Sequence, residues 1–278
     1  MRKLKIVADS SADLIELKNI DFASAALKIN TDQKDFVDDA SLDVKEMLAF
    51  LDDYKGKSKT SCPNTEDWLR AFGDADDIIC FTITSGLSGS YNTASAAKTI
   101  YEDENNGKRV FVVDSLSTGP EIVLLIEKLQ EYFASGMDYE EVCQKIMEYR
   151  NQTGLLFMLK SLKNFANNGR VSPALARIVE FIGICIVGKA SDQGTLEPLH
   201  KCRGEARALS ALVSELKENG VSSGKVSIAH CENELAALRM KTLLQASLPN
   251  VKIEIHKLRG LCSFYAEKGG LLIGFEKS

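Results

Sequence analysis

One arrangement occurs three times in the first half of the chain: a short apolar run followed by a polar loop rich in hydroxyls, which in two of the three cases leads into a stretch with helical periodicity. Residues 4–8 lead into Asp9-Ser10-Ser11-Ala12-Asp13, residues 78–83 into Thr84-Ser85-Gly86-Leu87-Ser88-Gly89-Ser90, and residues 110–113 into Asp114-Ser115-Leu116-Ser117-Thr118-Gly119. Strand, loop and helix in succession build βαβ units, whose strands lie parallel in one sheet with helices on its faces. The expected fold class is α/β, with a parallel sheet flanked by helices in the N-terminal part. Loops at the carboxyl ends of parallel strands gather along one sheet edge, where such folds bind ligands.

The rest of the chain is less regular. A strand is expected over 22–29, helical periodicity over 42–54, and a helix over 65–72 with Asn64 or Thr65 as N-cap. A strand over 155–159 follows. Asn167-Asn168-Gly169-Arg170-Val171-Ser172 then forms a turn, and a helix capped by Ser172 takes Pro173 at its first position. A strand near 185–187 and the turn residues 191–195 suit a hairpin. Helices near 205–218 and 234–247 alternate with strands at 225–230 and 251–256, and residues 271–275 make a last strand. The expected organisation is two α/β domains, 1–155 and 156–278, and a cleft between two such halves is a common ligand site.

The 278 residues are enough to bury a sizeable core without disulfides or metals. A net charge of −5 excludes a broadly basic nucleic-acid binder. Seven cysteines, odd in number and without a C-x-x-C pair, fit reduced thiols in a reducing compartment. The three histidines are scattered, with no zinc-binding spacing, so neither metal nor cofactor is expected. The first apolar stretch is too short for a signal peptide, and no window reaches the roughly 18 apolar residues of a membrane span. A cytoplasmic protein without integral membrane contact is expected.

The three loops hold hydroxyls, glycines and helix N-termini but few cations. That chemistry suits an anion held by neutral donors, without distinguishing carboxylate from phosphate, and it equally suits ordinary caps and turns. Gly86-Leu87-Ser88-Gly89-Ser90 has the strand-to-helix context of a hydrolase nucleophile elbow but ends in Ser90 where the pattern requires glycine. No Gly-Lys-Ser/Thr closes a phosphate-binding loop.

Taken in order, several segments resemble the DegV family. Ile6-Val7-Ala8-Asp9-Ser10-Ser11-Ala12-Asp13-Leu14 is similar to the family's opening, and Thr60-Ser61-Cys62-Pro63 to its Thr-Ser-x-Pro. Ser85-Gly86-Leu87-Ser88-Gly89-Ser90-Tyr91-Asn92 matches its Ser-Gly-Leu-Ser-Gly-Thr-Tyr segment. Val113-Asp114-Ser115, Asn168-Gly169-Arg170-Val171-Ser172 and Lys201-Cys202-Arg203-Gly204 complete the series. The resemblance implies a long apolar tunnel between two α/β domains. In it lies a long-chain fatty acid whose carboxylate is held by Thr60 and Ser88, with the Gly89 backbone as a further donor. It implies a non-catalytic role as the lipid-binding subunit of a fatty acid kinase. Such a subunit presents the acid to a separate ATP-binding subunit, and the acyl phosphate enters phospholipid synthesis. Arg170 and Arg203 resemble residues that dock the kinase subunit, and they equally suit solvated surface cations.

The chain departs from the family pattern near its end. Members carry His-x-Gly-Pro-Gly before the final Gly-Phe, whereas this chain has Tyr265-Ala266-Glu267-Lys268-Gly269 before Gly274-Phe275. Tyr265 then stands where the family has histidine, and its phenol is expected beside Ser88. Candidates for the tail site are Phe157, Leu159, Leu162, Phe165, Ile178, Phe181 and Ile182, most of them equally suited to plain core. The competing readings are a Ser-dependent hydrolase, a dihydroxyacetone-kinase-like transferase, and a binder of another small carboxylate or phosphorylated metabolite.

Overall fold

Alternation along the strands decides how the first half folds. In a computed structural model, which describes residues 2–172, 175 and 183–278, the strands of that half are β1 (Leu4–Asp9), β2 (Asp21–Ala25), β3 (Lys28–Asn30), β4 (Asp35–Val37), β5 (Lys59–Ser61), β6 (Asp77–Thr82) and β7 (Arg109–Asp114). Four of them form a wholly parallel sheet in the order β2-β1-β6-β7. Successive side chains on a strand point to opposite faces. Ile6, Ala8, Ile79, Phe81 and Val113 thus meet the helices Pro120–Ala134 and Tyr139–Arg150 on one side. Val7, Ile78, Cys80 and Val110 meet the helices Thr65–Phe72 and Ser90–Glu104 on the other. Every residue of β6 is buried, as a central strand covered on both faces requires.

The second half supplies β8 (Thr153–Leu159), β9 (Ile184–Ala190), β10 (Leu196–Arg203), β11 (Gly224–His230), β12 (Val251–Lys257) and β13 (Leu271–Glu276). They form one mixed sheet in the order β10-β9-β8-β13-β11-β12. Helices Glu205–Glu218 and Glu234–Ser247 cover one face, over Leu156, Met158, Val187, Ile228 and Ile273. The other face carries Leu155, Phe157, Leu159 and Leu272 toward the first half. The division expected at 155/156 falls inside β8.

Three differences from the sequence expectation have physical causes. The strand expected over 22–29 is two strands in different sheets. After Ala25 the chain leaves the parallel sheet, and the Leu27 amide donates to the Ser10 hydroxyl (3.0 Å), directing β3 into a small antiparallel sheet β4-β3-β5. The helix Tyr139–Arg150 is the second difference: it is set by the N-cap Asp138 and by Val142, Ile146 and Tyr149, which recur at helical spacing and bury against the parallel sheet. The helix Gly260–Ala266 is the third. Its first amides, on Gly260 and Leu261, donate to the Asp38 carboxylate (3.0 and 2.8 Å), a partner 222 residues away in the chain for Gly260. The helix expected after Ser172, with Pro173 and the tail candidates Ile178, Phe181 and Ile182, lies outside the described residues. The N-cap of Thr65–Phe72 is Asn64, in a reciprocal capping box with Asp67.

Candidate functional site

A cavity of about 280 Å³ lies between the two main sheets. Its roof is the carboxyl edge of the parallel sheet, through Thr84, Leu87, Ser88, Leu116 and Thr118. Its floor is the inner face of the mixed sheet, through Leu155, Phe157, Leu159 and Leu272. Gly188 makes room for this floor: a Cβ there would stand 2.4 Å from the Phe157 ring, so the ring lies across the bare glycine backbone.

Polar groups gather at one end. Thr60, on β5, bonds Tyr265 of the helix Gly260–Ala266, hydroxyl to hydroxyl, at 2.7 Å. The Tyr265 ring packs on Phe165 with centroids 4.6 Å apart. Burial pushes the Tyr265 hydroxyl above the ordinary tyrosine range, so it stays a neutral donor. Ser88 and Gly89 stand at the start of the helix Ser90–Glu104, and the Ser88 hydroxyl accepts from the Ser90 amide (3.3 Å). The Arg170 guanidinium lines the same end, its Nε donating to the Leu87 carbonyl (3.1 Å) and its Nη1 to the Asn168 carbonyl.

Asn168, read from sequence as a turn residue within a family-like segment and given no site role, positions this end. Its Oδ1 accepts from the Thr60 amide (3.2 Å), and its Nδ2 donates to the carbonyls of Ser58 (3.2 Å) and Asn164 (2.9 Å). Gly169 turns the chain at a φ of 72°, a left-handed conformation that glycine adopts without strain. Asn168-Gly169-Arg170 thereby ties β5 to the second half and brings Arg170 to the cavity.

The structure therefore brings Thr60, Ser88, Gly89, Tyr265 and Arg170 together around one cavity. Tyr265 hydrogen-bonds Thr60, whereas its expected neighbour was Ser88. Arg203 ends β10, exposed and outside the cavity lining. Of the tail candidates, Phe157, Leu159 and Phe165 line the cavity, while Leu162 is core beside it.

Two of the three polar loops reach the cavity; residues 9–13 do not. The Asp9 carboxylate is buried and accepts from the Ile83 amide (2.9 Å), the Ser90 hydroxyl (2.6 Å) and both the amide and the hydroxyl of Ser11. Burial pushes Asp9 above the usual carboxylate range, and these donors oppose the shift. Its role is to tie the loop after β6 to the loop after β1. Among the described residues, no histidine lines the cavity: His200 pairs with Glu215, His230 accepts from the Asn233 amide, and His256 lies near Glu254.

Comparison with known proteins agrees over the whole chain. A family model described as "Uncharacterised protein, DegV family" matches residues 3–278. A DegV domain-containing protein of Streptococcus pneumoniae is 41% identical over 276 residues, 98% of each chain. A DegV family protein from Eubacterium eligens, solved loaded with heptadecanoic acid, superposes with a TM-score of 0.97 at 41% identity, covering 99% of this chain and 100% of its own. The Streptococcus pneumoniae fatty acid kinase (Fak) B3 protein, solved loaded with linoleic acid, gives 0.97 at 40% identity with the same coverage.

Proposed function

The chain belongs to the DegV family, and on that premise we propose that it binds one long-chain fatty acid in the cavity between its sheets. The carboxylate is held at the Thr60, Ser88 and Gly89 end, with Tyr265 beside Thr60. The observation that carries this is the lining: the Thr60–Tyr265 hydroxyl pair, Ser88 and the Arg170 guanidinium gather at one end of a cavity walled largely by leucine and phenylalanine, with the hydroxyl residues Thr84, Ser117, Thr118 and Thr195 along the sheet edge. Each buried methylene contributes about 0.8 kcal/mol, so the chain supplies affinity and the head group supplies orientation. The Arg170 cation favours an acid over an uncharged ester or alcohol at that end.

Two related structures hold fatty acids, and one of those proteins is named as part of a fatty acid kinase. By this reading the chain performs no chemistry alone. It presents the acyl carboxylate to a separate ATP-binding subunit, which forms the acyl phosphate. Arg203, exposed on β10, and Arg170, at the polar end of the cavity, face that subunit. The same reading divides the chain into two α/β domains, 1–155 and 156–278, and places it in the cytoplasm. Among the described residues no helix is long and apolar enough to cross a membrane.

Mass spectrometry of lipid extracted from the purified protein tests the proposal. One equivalent of a long-chain fatty acid is expected, with Arg203→Ala retaining it while losing acyl phosphate formation in the presence of the kinase subunit. Protein that neither carries nor takes up a fatty acid would sink the reading.

A further inference from the structure

The acyl cavity ends on a wall that it shares with a second cavity. Leu116, Leu155 and Ala190 line both the cavity described above and a recess of about 420 Å³. The recess is otherwise mostly polar and carries the cations Arg150, Lys189 and Lys277 alongside the carboxyl groups of Glu121 and Asp192.

Strand geometry fixes which end of the acyl cavity this wall closes. Leu155, Phe157 and Leu159 are alternate residues on one face of β8. Leu159 is the last residue of β8, and the chain runs on from it into the short helix Lys163–Asn167, whose Phe165 ring packs on Tyr265 at the polar end. Leu155 lies four residues back along the strand, about 13 Å away. On the neighbouring strand Ile186 pairs with Leu159, Gly188 with Phe157 and Lys189 with Leu156, so the next step sets Ala190 beside Leu155. The wall is therefore at the far end from Thr60.

Leu116 is held rigidly in that wall. Its amide donates to the Asp114 carboxylate (3.0 Å), the Ser117 amide donates to the Ser115 hydroxyl (3.0 Å), and the residue sits at a φ of 54°. That left-handed conformation is uncommon for a leucine and persists only where its surroundings fix it.

We propose that Leu116, Leu155 and Ala190 form a terminal wall that sets the longest acyl chain the protein accepts, by closing the apolar cavity against the charged, polar recess. The inference rests on the fatty-acid reading and adds to it the group that measures the chain. Affinity should rise by about fourfold per methylene until the methyl end meets the wall, then fall.

The test is competition of saturated acids from lauric to behenic against a fluorescent fatty acid, for wild type, Leu116→Gly, Leu116→Phe and Leu155→Ala. Glycine suits the backbone at 116, and Leu155→Ala opens the wall at a second point if the first variant fails to fold. Leu116→Gly and Leu155→Ala should move the optimum at least two methylenes longer, a gain of about tenfold or more for those acids. Leu116→Phe should move it shorter. Leu116→Gly should also gain binding of a long α,ω-dicarboxylic acid, whose second carboxylate enters the recess, and should lose that gain on adding Lys189→Ala and Lys277→Ala. An unchanged optimum in all the folded wall variants, with fatty acids still bound, would overturn the wall and leave the function standing. A wild type that binds none of the acids would overturn both.

Discussion

Thr60 and Tyr265 bring two hydroxyl protons to the polar end of the cavity, and their mutual hydrogen bond uses one of them. The other is left for a ligand carboxylate, and the chain of two bonds strengthens it. Removing the Tyr265 hydroxyl with Tyr265→Phe should weaken fatty acid binding by about tenfold, in the range of one hydrogen bond at a charged acceptor. Thr60→Val should cost at least as much, and the double variant less than the sum of both, because the two groups serve one carboxylate. Titration of a fluorescent fatty acid into the three variants reads this directly. Because Tyr265 stays neutral, wild-type affinity should be flat between about pH 6 and 9, where a histidine at that position would change charge. A second prediction at this scale concerns Asp13, partly buried behind the cavity. Its Oδ1 accepts from the Arg259 amide (2.9 Å), while its Oδ2 has no hydrogen-bond partner. Burial first, then the nearby Asp38 carboxylate, push its carboxyl up to about 8, and Arg259 opposes them. A carboxyl raised on folding contributes stability that is complete below its unfolded value near 4 and is lost as pH rises to the folded value. Asp13→Asn keeps the acceptor and tolerates the local φ of 57°. Thermal melts should show the decline in Tm between about pH 4 and 8 to be shallower in Asp13→Asn than in wild type. Parallel curves would show that Asp13 ionises alike in both states.

Among elements, β9 shows how one missing side chain shapes the ligand space. A Cβ on Gly188 would stand 2.4 Å from the Phe157 ring and 2.5 Å from the Glu197 carbonyl oxygen. Gly188→Ala should therefore displace the ring toward the cavity, costing about 1–3 kcal/mol of stability as overpacking does and weakening fatty acid binding. Urea denaturation and the same fluorescent titration check both effects, and an unchanged affinity would mean that the ring has moved elsewhere. Sequence alone gives no sign of this contact, since a glycine within a strand marks only a bulge or a close approach. What is legible in the sequence are the elements with strong apolar patterns: the helices Glu205–Glu218 and Glu234–Ser247 and the strands β1, β6 and β7 of the parallel sheet. The three-residue strands β3, β4 and β5 are too short for periodicity and depend on partners distant in the chain. Thr60 stands on one of them, so its arrival at the site is readable only through family resemblance. Turn composition and family resemblance mark Asn168 without showing its role, because its two bonds to the 58–60 segment span more than a hundred residues.

At the scale of the whole molecule, the two main sheets are joined differently at the two ends of the cavity. At the polar end the links run through side chains to backbone, Arg170 to Leu87 and Asn168 to the 58–60 segment. At the far end the joint is backbone against backbone. The first turn of the helix Pro120–Ala134 rests on Gly274, where a Cβ would stand 2.6 Å from the Glu121 nitrogen and the Pro120 carbonyl carbon. Beside it, the Thr153 hydroxyl donates to the buried Glu121 carboxylate (2.7 Å), and Lys225 reaches Glu127 and Glu131 from β11. None of the atoms facing Gly274 is the end of a flexible side chain, so the contact has no cheap way to give. Gly274→Ala must therefore lift the helix from the sheet, at a cost of about 1–3 kcal/mol. Lys225→Ala removes only partly exposed ion pairs and should cost about 1 kcal/mol or less. Because the same helix follows the loop that carries Leu116, the glycine variant should also bind fatty acid more weakly, while the lysine variant binds it normally. Urea denaturation with and without added fatty acid tests this: Gly274→Ala should lose both midpoint and ligand-induced stabilisation, and Lys225→Ala should keep the latter. Equal behaviour of the two variants would mean that the sheets are held together by charge at this end, and that the close approach at Gly274 is incidental.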